Sequence, residues 1–260
     1  MKTIFPKIKI NHVTYFLFFT YLITGHFKNI ILIFLIVIIH ELGHVFFLNH
    51  YKYPIESIEI LPFGGITKTN KLINTPINHD LIIYFGGFLF QILLLIIFLF
   101  LLKFNIIHEN TYQLFKMYNT SILIFNILPI RPLDGGEILR LILEKRYSFY
   151  KAQKLANVLS VIFLGVFFAI NIRFNLNNYV IISFMLVKVY ELIKKEKYYK
   201  NKFMLERFMY TLPYHKISNE KKKNIQVLKK DTYHYFKDGA KYVSEKELLR
   251  RKFDISSYFW

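Results

Sequence analysis

Six apolar runs divide the first part of the chain: His12–Phe27, Asn29–Leu48, Asp80–Leu102, Tyr112–Leu128, Leu155–Ile172 and Asn178–Leu192. A helix needs roughly 20 apolar residues to cross the hydrocarbon core of a bilayer, and the runs approach that length. Asp80–Leu102 is the cleanest. Asn29–Leu48 is strongly apolar but contains His40, Glu41 and His44, and Tyr112–Leu128 carries Lys116 and Asn126. Between the second and third runs the period changes. Ile55, Ser57 and Glu59 alternate with Glu56, Ile58 and Ile60; with Phe63-Gly64-Gly65 this predicts one or two short strands beside the membrane. Beyond residue 193 the apolar stretches shorten. Asn224–Leu228, and Tyr233–Phe236 followed by Asp238-Gly239, predict a small α+β region. The pattern predicts an all-α polytopic membrane protein of about six transmembrane helices, with a short membrane-adjacent strand or hairpin region and a small C-terminal α+β region. The expected division is a membrane domain at 1–193 and a basic tail at 194–260.

Composition narrows the class. Apolar residues make up 54%, aromatics 18% and charged residues 20%, which excludes a collagen-like or disordered chain and an ordinary cytosolic enzyme. There is no cysteine, hence no disulfide framework, thiolate metal site or cysteine nucleophile. Lys2, Lys7 and Lys9 precede the first run, but no small-residue cleavage site follows it. It is expected to be a retained helix rather than a signal peptide.

The net charge is +18, of which residues 194–260 carry +10 and residues 1–193 carry +8. The tail has no helix-turn-helix signature, finger or RNA-recognition motif, so no direct nucleic-acid binding is expected. Basic residues beside a bilayer mark the cytoplasmic face and attract anionic lipid. With a cytoplasmic N-terminus, the inner segments hold Lys2, Lys7, Lys9, Lys52, Lys68, Lys71, Arg131, Arg140, Lys145, Arg146, Lys151 and Lys154. The outer side keeps only Lys28, Lys103, Lys116 and Arg173. Six spans return the basic tail to the inside, so both termini are expected in the cytoplasm.

Ionisable groups inside apolar helices are costly and mark function. The second run reads His40-Glu41-Leu42-Gly43-His44. On a helix, residues four apart share one face, so both imidazoles can reach one metal ion, with Glu41 placed to take a proton from a metal-activated water. A catalytic zinc ordinarily has three protein ligands and an open position. The segment Asn126-Ile127-Leu128-Pro129-Ile130-Arg131-Pro132-Leu133-Asp134-Gly135-Gly136 offers the third. Its prolines break the helix, and broken backbone at membrane depth belongs where protein or a wet cavity surrounds it. Asp134 could instead cap the following helix; beside an H-E-x-x-H in the same domain, the ligand reading is favoured.

The combination of H-E-L-G-H in a membrane helix with N-x-L-P-I-x-P-L-D-G-G some ninety residues later resembles the site-2 protease family of intramembrane zinc metalloproteases. The stage IV sporulation protease branch is the most similar, and Leu61-Pro62-Phe63-Gly64-Gly65 also looks like that branch. The resemblance implies that His40, His44 and Asp134 bind zinc and that Glu41 is the general base. It places Asn126 along the site, in substrate orientation or oxyanion support; a polar residue closing a helix end is the plainer reading. Members of the family cut a membrane-tethered segment of another protein. The sporulation branch matures a sigma-factor precursor, is restrained by small inhibitory membrane partners, and works in a bacterial cell or forespore membrane. Two features depart from that branch. Relatives often place a proline after a glycine pair such as Gly86-Gly87, where this chain has Phe88. The tail has room for about one repeat of the nucleotide-responsive CBS module the branch often carries, and it shows no clear ATP-binding signature.

Two other functions compete. A metal-holding scaffold that binds clients without cleaving them would not need Glu41. A metal transporter would need acidic or histidine residues along several helices, and Glu109, Glu137 and Glu144 do not form a path. The strand region after the catalytic helix is either a simple hairpin or an edge on which an unwound substrate pairs. His50 and His79 flank this region and read as interfacial residues rather than ligands, and His12, His26, His108, His215 and His234 are assigned no role.

Overall fold

The structure is a computed structural model and describes residues 7–10, 14–15, 23, 25, 27–61, 64–170, 176–214, 216–239 and 241–253. The chain forms two compact units, one of Met1–Lys71 with Leu81–Leu128, the other of Leu72–Asp80 with Pro129–Trp260.

The first unit contains β1 (Lys7–Ile10), α1 (Phe27–His50), β2 (Ile55–Leu61), β3 (Gly64–Thr69), most of α2 (Ile77–Lys103) and α3 (Glu109–Ile127). Toward one end of the bundle, Leu32 and Ile36 of α1, Leu94 and Phe98 of α2, and Tyr112 and Phe115 of α3 form one buried cluster. The Phe98 and Phe115 rings stack with centroids 3.6 Å apart. Further along, α1 and α2 meet backbone to backbone, because a Cβ on Gly43 would fall 2.2 Å from the Gly86 carbonyl oxygen. Small residues at such a crossing let two helices approach without side chains between them.

After α1, Lys52 adopts φ 58° and the Tyr53 amide donates back to the Leu48 carbonyl at 2.9 Å, turning the chain into β2. The expected strands are present as β2 and β3, paired antiparallel with Ile58 opposite Thr67. β1 joins them in parallel, with Lys7 opposite Ser57. It went unpredicted because it is four residues long and its partner lies about fifty residues away. Among the described residues the sheet order is β1-β2-β3, with β3 at one edge.

The second unit contains α4 (Asp134–Arg146), α5 (Phe149–Ile170), α6 (Leu176–Lys194), α7 (Glu196–Met209), β4 (Lys216–Glu220), β5 (Thr232–Asp238), β6 (Lys241–Ser244) and α8 (Glu245–Phe253). β4 pairs with β5 in parallel. β5 pairs with β6 antiparallel, across a turn in which Gly239 takes φ 62°. The C-terminal region therefore has strands and helices, and its core includes Phe149 of α5. Phe149 stacks on Phe203 at 4.1 Å, and Met204, Leu228, Phe236 and Leu249 complete the cluster.

Among the described residues, three helices are long and apolar enough to cross a membrane: Phe27–His50, Ile77–Lys103 and Phe149–Ile170. They cover the second, third and fifth expected spans. The fourth and sixth are helical as α3 and α6, but polar residues such as Glu109, Gln113, Lys116 and Asn119 in α3 make them less apolar. Most of His12–Phe27 lies outside the described residues.

One buried charge cluster holds the C-terminal region together. Arg207 donates to both carboxylate oxygens of Glu245, Nε at 3.0 Å and Nη2 at 2.9 Å. The same carboxylate accepts from the His234 amide at 3.0 Å and from the Tyr214 hydroxyl at 3.0 Å. Burial alone would push the Glu245 carboxyl up; the His234 hydrogen bonds and the Arg207 guanidinium overcome it and hold it below its usual value. Its stabilising contribution is present above the ordinary carboxylate range and is lost as pH falls through the lowered folded value. Glu245→Gln is expected to destabilise the protein by about 3–5 kcal/mol, because Arg207 stays buried without its counter-charge. Thermal unfolding from pH 7 to pH 3 checks this, and the variant's acid limb is expected to be flatter than the wild type's.

Candidate metal centre

Gly43 is the only glycine in α1, and no proline interrupts it, so the helix runs through the H-E-x-x-H unbroken and sets its three polar side chains in buried positions. His40 and Glu41 are each 3% exposed and His44 is 7% exposed. One ligand atom from each of the three lies within 4.8 Å of the others.

The far sides of both imidazoles are already committed. His40 Nδ1 lies 3.1 Å from Gln91 Oε1, and the Gln91 amide is oriented by its own donation to the Asn119 carbonyl at 2.9 Å. His44 Nδ1 lies 2.8 Å from the Ile83 carbonyl oxygen. Both partners are acceptors, so in the neutral rings Nδ1 carries the proton in each and both Nε2 lone pairs are unprotonated. Those two Nε2 atoms face each other at 3.2 Å. Two lone pairs at that distance repel unless a cation lies between or beside them. Two imidazole nitrogens presented in this way suit zinc, and the Glu41 carboxylate stands beside them.

The surroundings keep that position free. A Cβ on Gly87 would come within 2.7 Å of both Nε2 atoms and 2.6 Å of His40 Cε1. The Phe88 ring stands edge-on to His40 with centroids 6.0 Å apart, so the residue that replaces the expected proline borders that imidazole. β3 passes over Glu41. The Thr67 hydroxyl donates to Glu41 Oε2 at 2.7 Å, and a Cβ on Gly65 would lie 2.4–2.6 Å from the Glu41 side chain. The general-base candidate thus sits under the edge strand.

His40, Glu41 and His44 come together in the first unit. Asn126 is buried near the C-terminal end of α3 in the same unit. Asp134 belongs to the second unit as the first residue of α4, 9% exposed, and the N-cap position falls to Leu133. The Leu133 side chain makes no capping hydrogen bond. In the first turn of α4, burial alone would push the Glu137 carboxyl up. The Arg131 and Arg140 guanidiniums outweigh it and bring the carboxyl down to about 2.

Gln91, Thr67 and Gly87 have no assigned role in the sequence reading. Gln91 left a signal, because it is the one amide side chain in the cleanest apolar run and sits one turn after Gly87, on the same face. Thr67 left none, since its place depends on strand pairing.

A profile of peptidase family M50 matches residues 28–107 and 103–170. The chain is 35% identical over 190 residues to stage IV sporulation protein FB of Bacillus subtilis (strain 168), covering 72% of this chain and 66% of that protein. It is 35% identical over 158 residues to a zinc metalloprotease of Methanocaldococcus jannaschii, covering 56% of this chain and 45% of that one. The solved structure of a site-2 protease from Methanocaldococcus jannaschii matches with a TM-score of 0.59 and 28% identity, covering 74% of this chain and 92% of that chain. The chain thus spans just under two thirds of the first curated relative's length and less than half of the second's. With the profile spanning more than half of its residues, its H-E-x-x-H included, the chain belongs to peptidase family M50, the site-2 protease family.

Proposed function

We propose that this protein is an intramembrane zinc metalloprotease that hydrolyses a peptide bond in a membrane-associated protein. The observation that carries the reading is the pair of Nε2 atoms opposed at 3.2 Å, with the Glu41 carboxylate beside them. His40, His44 and Asp134 hold the zinc and Glu41 is the general base. When bound, zinc supplies Lewis acidity to the scissile carbonyl and lowers the pKa of a water toward about 7. Glu41 takes the proton from that water on its carboxylate and delivers it to the leaving amine. Thr67, donating to Oε2, holds the carboxylate so that its other oxygen faces the reaction. Gln91 and Ile83 keep the imidazoles in the tautomer that presents Nε2. Asn126 orients the substrate or supports the developing oxyanion.

A helical peptide bond is shielded, and water can attack only an extended chain. The edge of β3, which crosses Glu41 at Gly65 and Thr67, is where an unwound substrate pairs as an added strand. The membrane domain spans residues 1–193 with about six helices, the second to sixth of them around α1, α2, α3, α5 and α6. Both termini are cytoplasmic, in a bacterial cell or forespore membrane. Residues 194–260 are a reduced, CBS-like remnant whose basic surface meets anionic lipid. The likeness to a stage IV sporulation protein supports a role in sporulation. In that role the substrate is a sigma-factor precursor, and small membrane proteins restrain the enzyme.

Co-expression with a sigma-factor precursor, read by immunoblot, tests the assignment. The wild type is expected to shorten the precursor and His44→Ala is expected not to. Equal shortening by both would assign the cleavage to a host protease. Intact precursor in the presence of zinc-loaded wild type would remove sigma-factor maturation from the proposal.

A further inference from the structure

α5 is apolar over most of its length, yet Gln153, Asn157 and Ser160 fall at i, i+4 and i+7, a single stripe of the helix, and all three are buried. Buried polar side chains on an apolar helix need partners. Here the partner is Arg131, in the loop between α3 and α4. Its Nη1 donates to Gln153 Oε1 at 2.9 Å and to Asn157 Oδ1 at 2.8 Å. Its backbone amide donates to Ser160 Oγ at 3.0 Å, and its Nε donates to Glu137 Oε1 at 2.7 Å. The residue is 5% exposed.

The loop is equally tight against α4. The Leu133 amide donates to the Ile130 carbonyl at 2.9 Å, and a Cβ on Gly136 would lie 2.4 Å from the Arg131 nitrogen. Pro129 and Pro132 contribute no amide donors, which makes the Arg131 contacts more important for the loop. The network continues outward. Arg140 donates to Glu137 at 2.6 Å and pairs with Glu144. Lys230 of the C-terminal region lies 3.9 Å from Glu144 and 2.6 Å from Asp80. Three buried cations thus face three buried carboxylates, the condition under which charges are tolerated inside a protein.

We propose that Arg131 is a positioning residue, which fastens the Asp134-bearing loop to the polar stripe of α5 and so holds Asp134 ready for the metal. The inference rests on the reading of Asp134 as a zinc ligand. A loop that ends in a metal ligand must be held to a fraction of an ångström. A planar guanidinium with donors in a fixed fork does this better than a flexible ammonium.

The test is zinc affinity, measured by chelator competition on the purified full-length protein in detergent, with helix content and melting temperature recorded for each variant. Asp134→Asn is expected to weaken zinc binding. Arg131→Met is expected to weaken it by about 10–100-fold, the range for residues that orient metal ligands, with helix content unchanged. Arg131→Lys is expected to fall between Arg131→Met and the wild type. Asn157→Ala leaves the loop sequence intact and is expected to move affinity in the same direction by a smaller factor; if Arg131→Met fails to fold, this variant decides. Wild-type affinity in folded Arg131→Met and Asn157→Ala, alongside weakened Asp134→Asn, would overturn the positioning role. Wild-type affinity in Asp134→Asn would instead overturn the ligand assignment on which the role depends.

Discussion

Gly87→Ala is expected to abolish zinc binding while leaving the helices in place. The added methyl would lie 2.7 Å from His40 Nε2 and from His44 Nε2, closer than carbon and nitrogen approach without a bond. Each way of relieving the clash carries a cost. α2 can withdraw only by giving up its backbone contact with α1 one residue earlier, where a Cβ on Gly86 would lie 2.6 Å from the Gly43 carbonyl oxygen. Rotation of His40 breaks its bond to Gln91, and rotation of His44 breaks its bond to the Ile83 carbonyl. Either rotation leaves a buried polar group unpaired at a cost of about 1–3 kcal/mol and turns Nε2 away from its partner. The methyl itself also fills the space beside both Nε2 atoms, so it displaces an ion held there however the clash is relieved. Zinc content after equilibration in a zinc buffer, with circular dichroism to follow the helices, checks this. Full zinc loading in a folded variant would place the ion elsewhere.

Glu41→Gln is expected to lower turnover by about 10²–10⁴-fold, the range contributed by a positioned general acid–base group, with zinc content close to wild type. The amide keeps the volume of the side chain, and its oxygen still accepts from Thr67, so β3 stays seated over the site. What is lost is the carboxylate's ability to take a proton. The same variant separates the protease from a metal-holding scaffold: a scaffold would keep client binding and show no change, since it performs no proton transfer. Single-turnover cleavage of a membrane-tethered substrate in detergent, with zinc measured on the same sample, reads both quantities. Undiminished turnover would remove Glu41 from the general-base role.

Much of the site could be read along the chain because one helix supplies it. His40, Glu41 and His44 need only the helical repeat to share a face, and the cost of burying them in an apolar run already points to a metal. The prolines and glycines around Asp134 announce a break without any knowledge of its surroundings. β1 could not be read this way, nor could the ends of the apolar helices. A four-residue strand acquires its identity from a partner about fifty residues away. Polar residues along α3, Lys116 and Asn119 in its middle among them, lower its count of apolar positions. The C-terminal region looked like a basic tail with a small α+β element. Its core takes in Phe149 from α5, a contact with no local signature.

The sequence alone determines where apolar helices form, where the chain breaks, and which polar residues lie inside apolar runs, because each follows from short-range periodicity and from the energetic cost of polar groups in apolar runs. Only the tertiary structure decides which way the imidazoles face, since that depends on Gln91 and Ile83 of another helix. It alone shows that Gly87 keeps the space between the rings clear, that Thr67 holds Glu41, and that Arg131 ties the Asp134 loop to α5. These are contacts between residues distant in the chain, and they exist only once helices and strands have packed against one another.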